Sequence, residues 1–260
     1  MIKKWILCIA LCIGTPAFGN SLQSDMSDLW WNANESGWGV TVLHQQEVVF
    51  LTFFIYGADG RGSWYTAQGS YANSTPQGAF VFTGTMYQIS GPWFGTTFNP
   101  AAVNARAVGN MTFTAFLDSA TLSYTIDGVA VNKALTRFTL RNNNLSGQFM
   151  GAIKQTYAGC TPASNNTELN ASSDFIVSNT SNTFSMLVRD QIGGVCNYIG
   201  NYTQTGRLGN SVGTYSCSNG AAGNYQAFEV EASFSGIVGR YVASNSFCSS
   251  ITGRFAAMRK

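Results

Sequence analysis

Apolar and polar residues alternate along much of this chain, and helical periodicity is hard to find anywhere in it. Leu122, Tyr124 and Ile126 alternate with threonine and serine, so one side of an extended segment is apolar and the other is polar. Asp127-Gly128 follows at once, and this dipeptide is typical of the two-residue turn of a hairpin. The pattern therefore predicts an all-β chain.

The same signals predict a meander of strands joined mostly by short turns in the first half of the chain. The strands are expected near 37–44, 48–56, 63–71, 79–88, 105–116, 120–126 and 129–140. The segment 48–56 is apolar on both faces, with Phe50, Phe54 and Tyr56 on one of them. In a small barrel one face looks outward, so that outer row must be covered by the second domain or by a partner. We expect the second domain to cover it, which is the simpler arrangement. An outer row left exposed would be a binding patch.

The composition excludes some classes of protein. Charged residues make up 10% of the chain, well below the usual quarter, and the net charge is +2. This chain therefore lacks the basic character expected of a nucleic-acid-binding protein. Because 45% of the residues are hydrophobic and 13% aromatic, the chain can bury a core and is not expected to be disordered.

The first nineteen residues are predicted to be a signal peptide. Lys3 and Lys4 precede an apolar stretch, and Ala17-Phe18-Gly19 supplies small residues for cleavage after Gly19. The apolar stretch is shorter than the roughly 20 residues that a membrane-spanning helix needs, and no later segment is expected to form one. The mature protein is therefore predicted to be periplasmic or secreted.

Four cysteines remain after the predicted cleavage site: Cys160, Cys196, Cys217 and Cys248. An even number in an exported protein favours disulfides. Zinc is the alternative, but the spacings contain no Cys-x-x-Cys pair and the only histidine, His44, lies far upstream. We therefore expect neither a metal nor a cofactor.

The spacing of the cysteines also predicts how they pair. The midpoint between Cys196 and Cys217 falls inside Gly206-Arg207-Leu208-Gly209, which has the composition of a turn. An antiparallel hairpin centred there places these two cysteines opposite each other, at a separation that a disulfide can bridge. Cys160 is then expected to pair with Cys248.

The segment 156–172 is rich in Ser, Asn and Pro and is predicted to be a linker. After it, Gly-x-aromatic recurs at intervals that suit successive strands, a pattern found in small barrels and hairpin arrays. The repeats are Gly200-Asn201-Tyr202, Gly213-Thr214-Tyr215, Gly223-Asn224-Tyr225, Gly239-Arg240-Tyr241 and Gly253-Arg254-Phe255. We therefore predict an aromatic-rich antiparallel β domain at 28–155 and a disulfide-stapled β domain at 173–260, each a small antiparallel β-barrel or meander.

A second distinctive stretch is Trp30-Trp31-Asn32-Ala33-Asn34-Glu35-Ser36-Gly37-Trp38-Gly39, with Trp64-Tyr65 further on. It resembles an N-terminal domain of exported bacterial proteins that is built on Trp-Trp-Asn-x-x-Glu-Ser-Gly-Trp-Gly and a later Trp-Tyr. The similarity extends over roughly residues 29–140. The cysteine-containing region is similar to the tail that follows this domain in some of those proteins. The resemblance implies an exported β protein, and it carries over no catalytic residue.

Two interpretations of this motif remain open. In the structural one, Trp38 plugs the end of a barrel, Glu35 accepts hydrogen bonds from backbone amides, and Trp64 and Tyr65 lie on opposite faces of their strand. In the other, the motif forms a surface for a glycan or a small apolar ligand, since aromatic platforms beside amides and a carboxylate suit sugar rings. The candidate ligand-binding residues are Trp30, Trp31, Asn32, Glu35, Trp38, Trp64 and Tyr65.

The function predicted from these features is that of a non-catalytic binding or envelope-interaction protein, whose partner is a glycan, a small apolar ligand or another envelope protein. The alternative is an envelope polysaccharide hydrolase that uses paired carboxylates. Its acids are expected to be Glu35 with Asp59, or Glu229 with Glu231, which share a strand face. His44 is expected to be a solvated loop residue.

Overall fold

The computed structural model of the protein describes residues 24–180, 182–191 and 193–260, so the predicted signal peptide lies outside the described residues. Within them, sixteen antiparallel strands form two closed barrels of eight strands each, one after the other along the chain. This confirms the predicted all-β class with two antiparallel barrels. The helices among the described residues are two short 3-10 turns, Pro100–Ala102 and Ala163–Asn165, and neither has the length or hydropathy of a membrane span.

The first barrel contains the seven predicted strands, shifted by a few residues at their ends, and one more strand that the sequence pattern does not predict. The strands are β1 (Asp28–Trp31), β2 (Gly39–Gln45), β3 (Val48–Tyr56), β4 (Gly62–Ser74), β5 (Phe80–Ser90), β6 (Asn104–Ala115), β7 (Ser119–Ile126) and β8 (Val129–Arg137). The missed strand β1 closes the barrel, because Trp30 lies opposite Val40 of β2 on one side and Arg137 of β8 on the other.

The core of the first barrel follows from the alternation in its strands. Val49, Leu51 and Phe53 point inward from β3 and are fully buried. The ring of Trp30 is also fully buried and packs edge-on against Phe113, with 5.5 Å between ring centroids. The indole nitrogen of Trp30 donates a hydrogen bond of 3.0 Å to the carbonyl of Met26, so its one polar atom is satisfied inside the barrel.

The outer row of β3 corrects the expectation that the second domain covers it. Phe50, Phe54 and Tyr56 are 41%, 49% and 59% exposed. The second barrel does not cover this wall because the two barrels meet end to end, through contacts near Asp28 and Arg137.

The second barrel is formed by β9 (Gly147–Cys160), β10 (Thr167–Asn179), β11 (Thr183–Asp190), β12 (Val195–Thr205), β13 (Leu208–Cys217), β14 (Ala222–Ala232), β15 (Gly236–Asn245) and β16 (Cys248–Arg259). It closes where β9 pairs with β16.

The connection between the barrels is residues 138–146, not the predicted linker at 156–172. The segment 156–172 contains the end of β9, the turn 161–166 and the start of β10, which pair as a hairpin. In that turn the side chain of Asn166 accepts a hydrogen bond of 2.9 Å from the amide of Cys160. Clusters of Ser, Asn and Pro favour a tight turn as much as a linker, which is why composition alone misplaced the boundary.

The Gly-x-aromatic repeats place both residues on the inner face of the second barrel, since they are two positions apart on a strand. The five aromatic side chains of the repeats are all buried: Tyr202, Tyr215, Tyr225, Tyr241 and Phe255. A Cβ on Gly253 would lie 2.3 Å from Cζ of Tyr241, and one on Gly239 would lie 2.5 Å from Cζ of Phe255. The glycines therefore leave the space that rings from neighbouring strands occupy.

Both predicted disulfides are present. Cys196 bonds to Cys217 and Cys160 bonds to Cys248, and each pair lies directly opposite in its strand register. The strands run alternately up and down, so both bonds lie at the end of the barrel away from the turn at Gly206. That turn faces the first barrel. The disulfides therefore cross-link the distal end of the second barrel, which is the end that points away from the first.

The two barrels are joined by hydrogen-bonded ion pairs at Gly206-Arg207. The amide of Arg207 donates to Asp28, and its guanidinium donates to Asp25 at 2.5 Å and to Glu231 at 2.6 Å. Gly206 has a φ of +63°, and a Cβ there would lie 2.3 Å from the Asp28 carboxylate. Only glycine fits this close approach, which gives a structural reason for the turn sequence between Cys196 and Cys217.

Candidate functional site

The Trp-rich motif forms the turn between β1 and β2, at the end of the first barrel away from the second barrel. Asn32 shapes this turn, because its carbonyl accepts from the amide of Glu35 at 3.0 Å and its side chain accepts from the amide of Asn34 at 2.9 Å. Gly37 has a φ of +118°, in the region that favours glycine. The motif is therefore a specific turn that the sequence pattern alone could not resolve.

Glu35 is held by side chains and not by the backbone amides that were expected. Its carboxylate accepts a hydrogen bond of 3.0 Å from the indole nitrogen of Trp38 and one of 2.6 Å from Nζ of Lys133. The Lys133 ammonium also lies 5.4 Å from the centre of the Trp38 ring. Trp38 packs against the core of the barrel and so closes its end, as in the structural interpretation.

The electrostatics of this turn favour a charged Glu35. The hydrogen bond from Lys133 holds the pKa of Glu35 below its ordinary value, against a smaller effect of desolvation. Burial raises the pKa of Tyr124, and the negative charge of Glu35 raises it further. A carboxyl that is already ionised is poorly suited to the general-acid role that glycoside hydrolysis requires.

The remaining predicted ligand-binding residues are not gathered into one cavity. Trp30 is a core residue. Trp31 is half-buried on the outer wall, where its ring packs edge-on against Phe138 at 4.7 Å between centroids. Trp64 is 51% exposed on the outside of β4, whereas Tyr65 packs against the core. The prediction that Trp64 and Tyr65 lie on opposite faces is therefore confirmed. Trp30 inside the barrel and Trp64 on its outer wall cannot line one common surface.

The structure instead gathers exposed rings on the outer wall of β3, β4 and β5. We call this surface the aromatic face, and it consists of Phe50, Phe54, Tyr56, Trp64 and Tyr87. Phe54 lies directly opposite Trp64, and Tyr87 lies opposite Thr66. The Tyr56 hydroxyl donates a hydrogen bond of 2.7 Å to the carbonyl of Gly37, which ties the aromatic face to the motif turn.

A row of three threonines crosses the aromatic face, where Thr41 and Thr52 are part-exposed and Thr66 is buried. Thr41 of β2 lies opposite Thr52 of β3, which lies opposite Thr66 of β4. The threonines lie between two other pairs of facing residues. Phe54 and Trp64 are on one side of them, and Phe50 and Gln68 are on the other. The sequence pattern indicates the apolar outer row of β3 and the Trp64-Tyr65 pair, but not that they lie side by side. The register of β3 and β4 shows that they are neighbours.

The carboxylates of the hydrolase alternative each have a partner in the described part of the chain. Besides Glu35, Asp59 accepts from the amide of Arg61 at 3.0 Å in an exposed turn. Glu229 is paired with Arg240, and Glu231 with Arg207. Glu229 and Glu231 therefore belong to two separate ion pairs, each with a different arginine.

His44 is not the solvated loop residue that was expected. It lies in β2 and points into the end of the first barrel, with a side chain that is 5% exposed. Its Nδ1 accepts a hydrogen bond of 3.2 Å from the amide of Met26, and its Nε2 lies 2.7 Å from the carbonyl of Gln46. Within the residues that the structure describes, no group of three or more His, Cys, Asp or Glu side chains is arranged to hold a metal ion.

No family model and no curated protein matches this chain. A solved structure that matches is described as that of a candidate outer membrane protein from Bacteroides fragilis. It is 10% identical, the match covers 91% of this chain and 96% of that one, and the TM-score is 0.33. A likeness at that score supports no statement about function.

Proposed function

We propose that the protein is a non-catalytic binding protein of the bacterial cell envelope, located outside the cytoplasm, and that it holds a glycan on the aromatic face of its first barrel. The observation that carries this proposal is the exposure of five aromatic rings on one wall of a rigid sheet. Large exposed apolar patches on otherwise polar proteins mark interaction sites.

A glycan suits this surface because the surface is both aromatic and hydroxylated. Phe54 and Trp64 lie side by side and offer flat apolar rings to the C–H face of a sugar. Thr41 and Thr52 beside them are part-exposed and supply hydroxyl groups that donate and accept hydrogen bonds. Because these side chains stand on paired strands, little conformational order has to be gained on binding.

The extracytoplasmic location is supported by the two disulfides, which persist in oxidising compartments. The predicted signal peptide points the same way. A binding role is favoured over hydrolysis because the candidate acids are ion-paired, and the pKa of Glu35 is lowered mainly by the hydrogen bond from Lys133. Another envelope protein could occupy the same surface, and this is an outcome of the test below.

The test is calorimetric titration of the mature protein with neutral and acidic oligosaccharides of bacterial envelope polysaccharides. Trp64→Ala and Phe54→Ala are each expected to weaken binding about tenfold or more, since hot-spot aromatics carry about 2 kcal/mol or more at an interface. Phe234→Ala is the control, because Phe234 is a fully exposed aromatic residue in the turn between β14 and β15 of the second barrel. Its affinity is expected to equal that of the unmodified protein.

Trp38→Ala provides the reference for a structural defect. It is expected to lower the melting temperature of the first barrel, because Trp38 closes the end of the core, and to leave the aromatic face in place if the barrel still folds. If no oligosaccharide binds, or if binding is unchanged in both face variants, the glycan proposal is wrong. Capture of a specific envelope protein through Trp64 would identify a protein partner instead.

A further inference from the structure

Three basic side chains form a row across the outer wall of the second barrel. Lys154 of β9 lies directly opposite Arg254 of β16, and Arg254 lies directly opposite Arg240 of β15. We call these three residues the basic row. Like charges that face each other across a strand pair are destabilising, so an arrangement of three in succession calls for negative charge near it.

The charges of the basic row are only partly balanced by the protein. Arg240 is paired with Glu229, and its guanidinium stacks over Phe228 and donates to Ser24. Lys154 lies 3.5 Å from Glu168, but both side chains are about 60% exposed, so solvent screens this contact.

Arg254 is the middle residue of the row. Its guanidinium makes no hydrogen bond or ion pair with any residue that the structure describes. Arg254 is therefore the residue of the row whose charge has no partner among the described residues, and its neighbour Lys154 has only the solvent-screened contact with Glu168.

The basic row borders a groove of about 520 Å³. The other end of this groove holds Asp25, Arg207, Glu229 and Glu231, whose carboxylates are engaged with Arg207 and Arg240. The groove is thus polarised, with ion pairs at one end and free positive charge at the other.

Next to the basic row, the floor of the groove is formed by small apolar side chains. Ala152 lies opposite Ala256, which lies opposite Val238, and these three form the adjacent row of outward-facing residues. One row further along, Met150 lies opposite Met258, and both are exposed. A second concavity of about 600 Å³ shares the alanine row and reaches these methionines. Successive rows are about 7 Å apart, so the apolar strip extends about 14 Å from the basic row.

We propose that this groove binds an amphiphile with an anionic head group, in addition to any ligand of the first barrel. A phosphate or carboxylate head pairs with Lys154 and Arg254. The alkyl chain lies over Ala152, Ala256 and Val238 and ends at Met150 and Met258, whose flexible side chains adapt to an apolar ligand. A free anion would meet only exposed cations, which hold it weakly, whereas the chain adds apolar burial.

The first experiment compares three probes by calorimetry on the full mature protein. Dodecyl phosphate, kept below its micellar concentration, is expected to bind at least tenfold more tightly than inorganic phosphate and than dodecyltrimethylammonium. Its affinity is expected to fall as salt is added, because exposed charges are screened. Equal binding of the cationic amphiphile would refute the role of the basic row, and equal binding of inorganic phosphate would refute the role of the apolar floor.

The second experiment uses variants on the outer wall, where substitutions leave the core untouched. The double substitution Lys154→Gln with Arg254→Gln is expected to weaken dodecyl phosphate binding at least tenfold, and Ala256→Phe is expected to do the same by filling the floor. Arg189→Gln with Arg61→Gln is the matched control, since it also removes two positive charges from exposed positions outside the groove and is expected to leave the affinity unchanged. Melting curves of all variants check that the barrel is folded.

Two further arms separate this proposal from its alternatives. Trp64→Ala is expected to leave dodecyl phosphate binding unchanged, so loss of binding there would assign the amphiphile to the aromatic face and overturn the groove. Vesicles of anionic phospholipid test a membrane surface as the source of the head group. Binding to vesicles without binding of monomeric dodecyl phosphate would also overturn the proposal.

Discussion

Arg137 shows how one side chain organises the end of the first barrel. It is fully buried, and it donates to the carbonyls of Leu117 at 2.6 Å and Asp25 at 2.7 Å. It also pairs with Asp28 at 3.2 Å and lies 4.6 Å from the centre of the Trp30 ring. Burial lowers the pKa of this guanidinium, and the hydrogen bond and charge of Asp28 oppose that effect in part. An arginine side chain nevertheless stays charged in proteins.

Removing this guanidinium is predicted to be costly. Arg137→Ala leaves Asp28 and several carbonyls without their donor in a buried site, and breaking a buried pair in this way typically costs about 3–5 kcal/mol. Urea unfolding followed by tryptophan fluorescence measures the change. Arg61→Ala is the control, because Arg61 is 88% exposed and surface substitutions usually change stability by less than about 0.5 kcal/mol. A loss below about 1 kcal/mol for Arg137→Ala would contradict this account.

At the scale of strands, the sequence predicts those strands that are long enough to show an alternation of polar and apolar residues. Seven strands of the first barrel were predicted because polar and apolar residues alternate between clear turns. β1 was missed because four residues, Asp28–Trp31, are too few to show a period. The start of the second barrel was misplaced because β9 continues directly into a hairpin turn whose composition is that of a linker.

The candidate site was only partly predictable for the same physical reason. Alternation shows that Trp30 and Trp31 point to opposite sides, but it does not show which side is the core. It also does not show which strands are neighbours, so the opposition of Phe54 to Trp64 and of Lys154 to Arg254 could not be read from the sequence. The disulfide Cys196–Cys217 could be predicted because a single hairpin with a recognisable turn fixes its register.

The buried tyrosines of the second barrel predict how the stability of this barrel depends on pH. Burial is the main reason why the pKa values of its six tyrosines are all raised: Tyr157, Tyr198, Tyr202, Tyr215, Tyr225 and Tyr241. Each hydroxyl therefore keeps its proton in the folded barrel at a pH where the unfolded chain has released it. The stability of the second barrel is full below the ordinary value of 10.0 and falls as the pH rises above it.

Alkaline titration measures this effect. Tyrosinate absorbance of the folded protein is expected to rise later than that of the protein in concentrated urea, and to rise together with loss of β-sheet circular dichroism. The tryptophans that follow the predicted signal peptide all lie in the first barrel, so their fluorescence reports separately on that barrel. Titration of all tyrosines near the ordinary pKa, with the second barrel still folded, would contradict the prediction.

The whole molecule consists of two closed barrels that are joined by an ion network. Arg207 is central to this network, since it reaches Asp25 and Asp28 from the first barrel's side and Glu231 on its own barrel. The connection 138–146 is held to the same turn, because Asn143 donates from its side chain to the carbonyl of Arg207 at 2.7 Å. The disulfides are at the distal end and do not contribute to this junction.

Arg207→Ala is therefore predicted to uncouple the barrels without unfolding either one. Asp25 and Glu231 lose their shared partner, and because Arg207 is 31% exposed the cost is expected to be about 1–3 kcal/mol, below that of a fully buried pair. In urea, the tryptophan transition of the first barrel and the tyrosine transition of the second are expected to separate more widely than in the unmodified protein. Limited proteolysis is expected to cut within 138–146 several times faster. Arg61→Ala again serves as the control, and unchanged transitions together with an unchanged cleavage rate in Arg207→Ala would show that the junction depends on contacts other than this arginine.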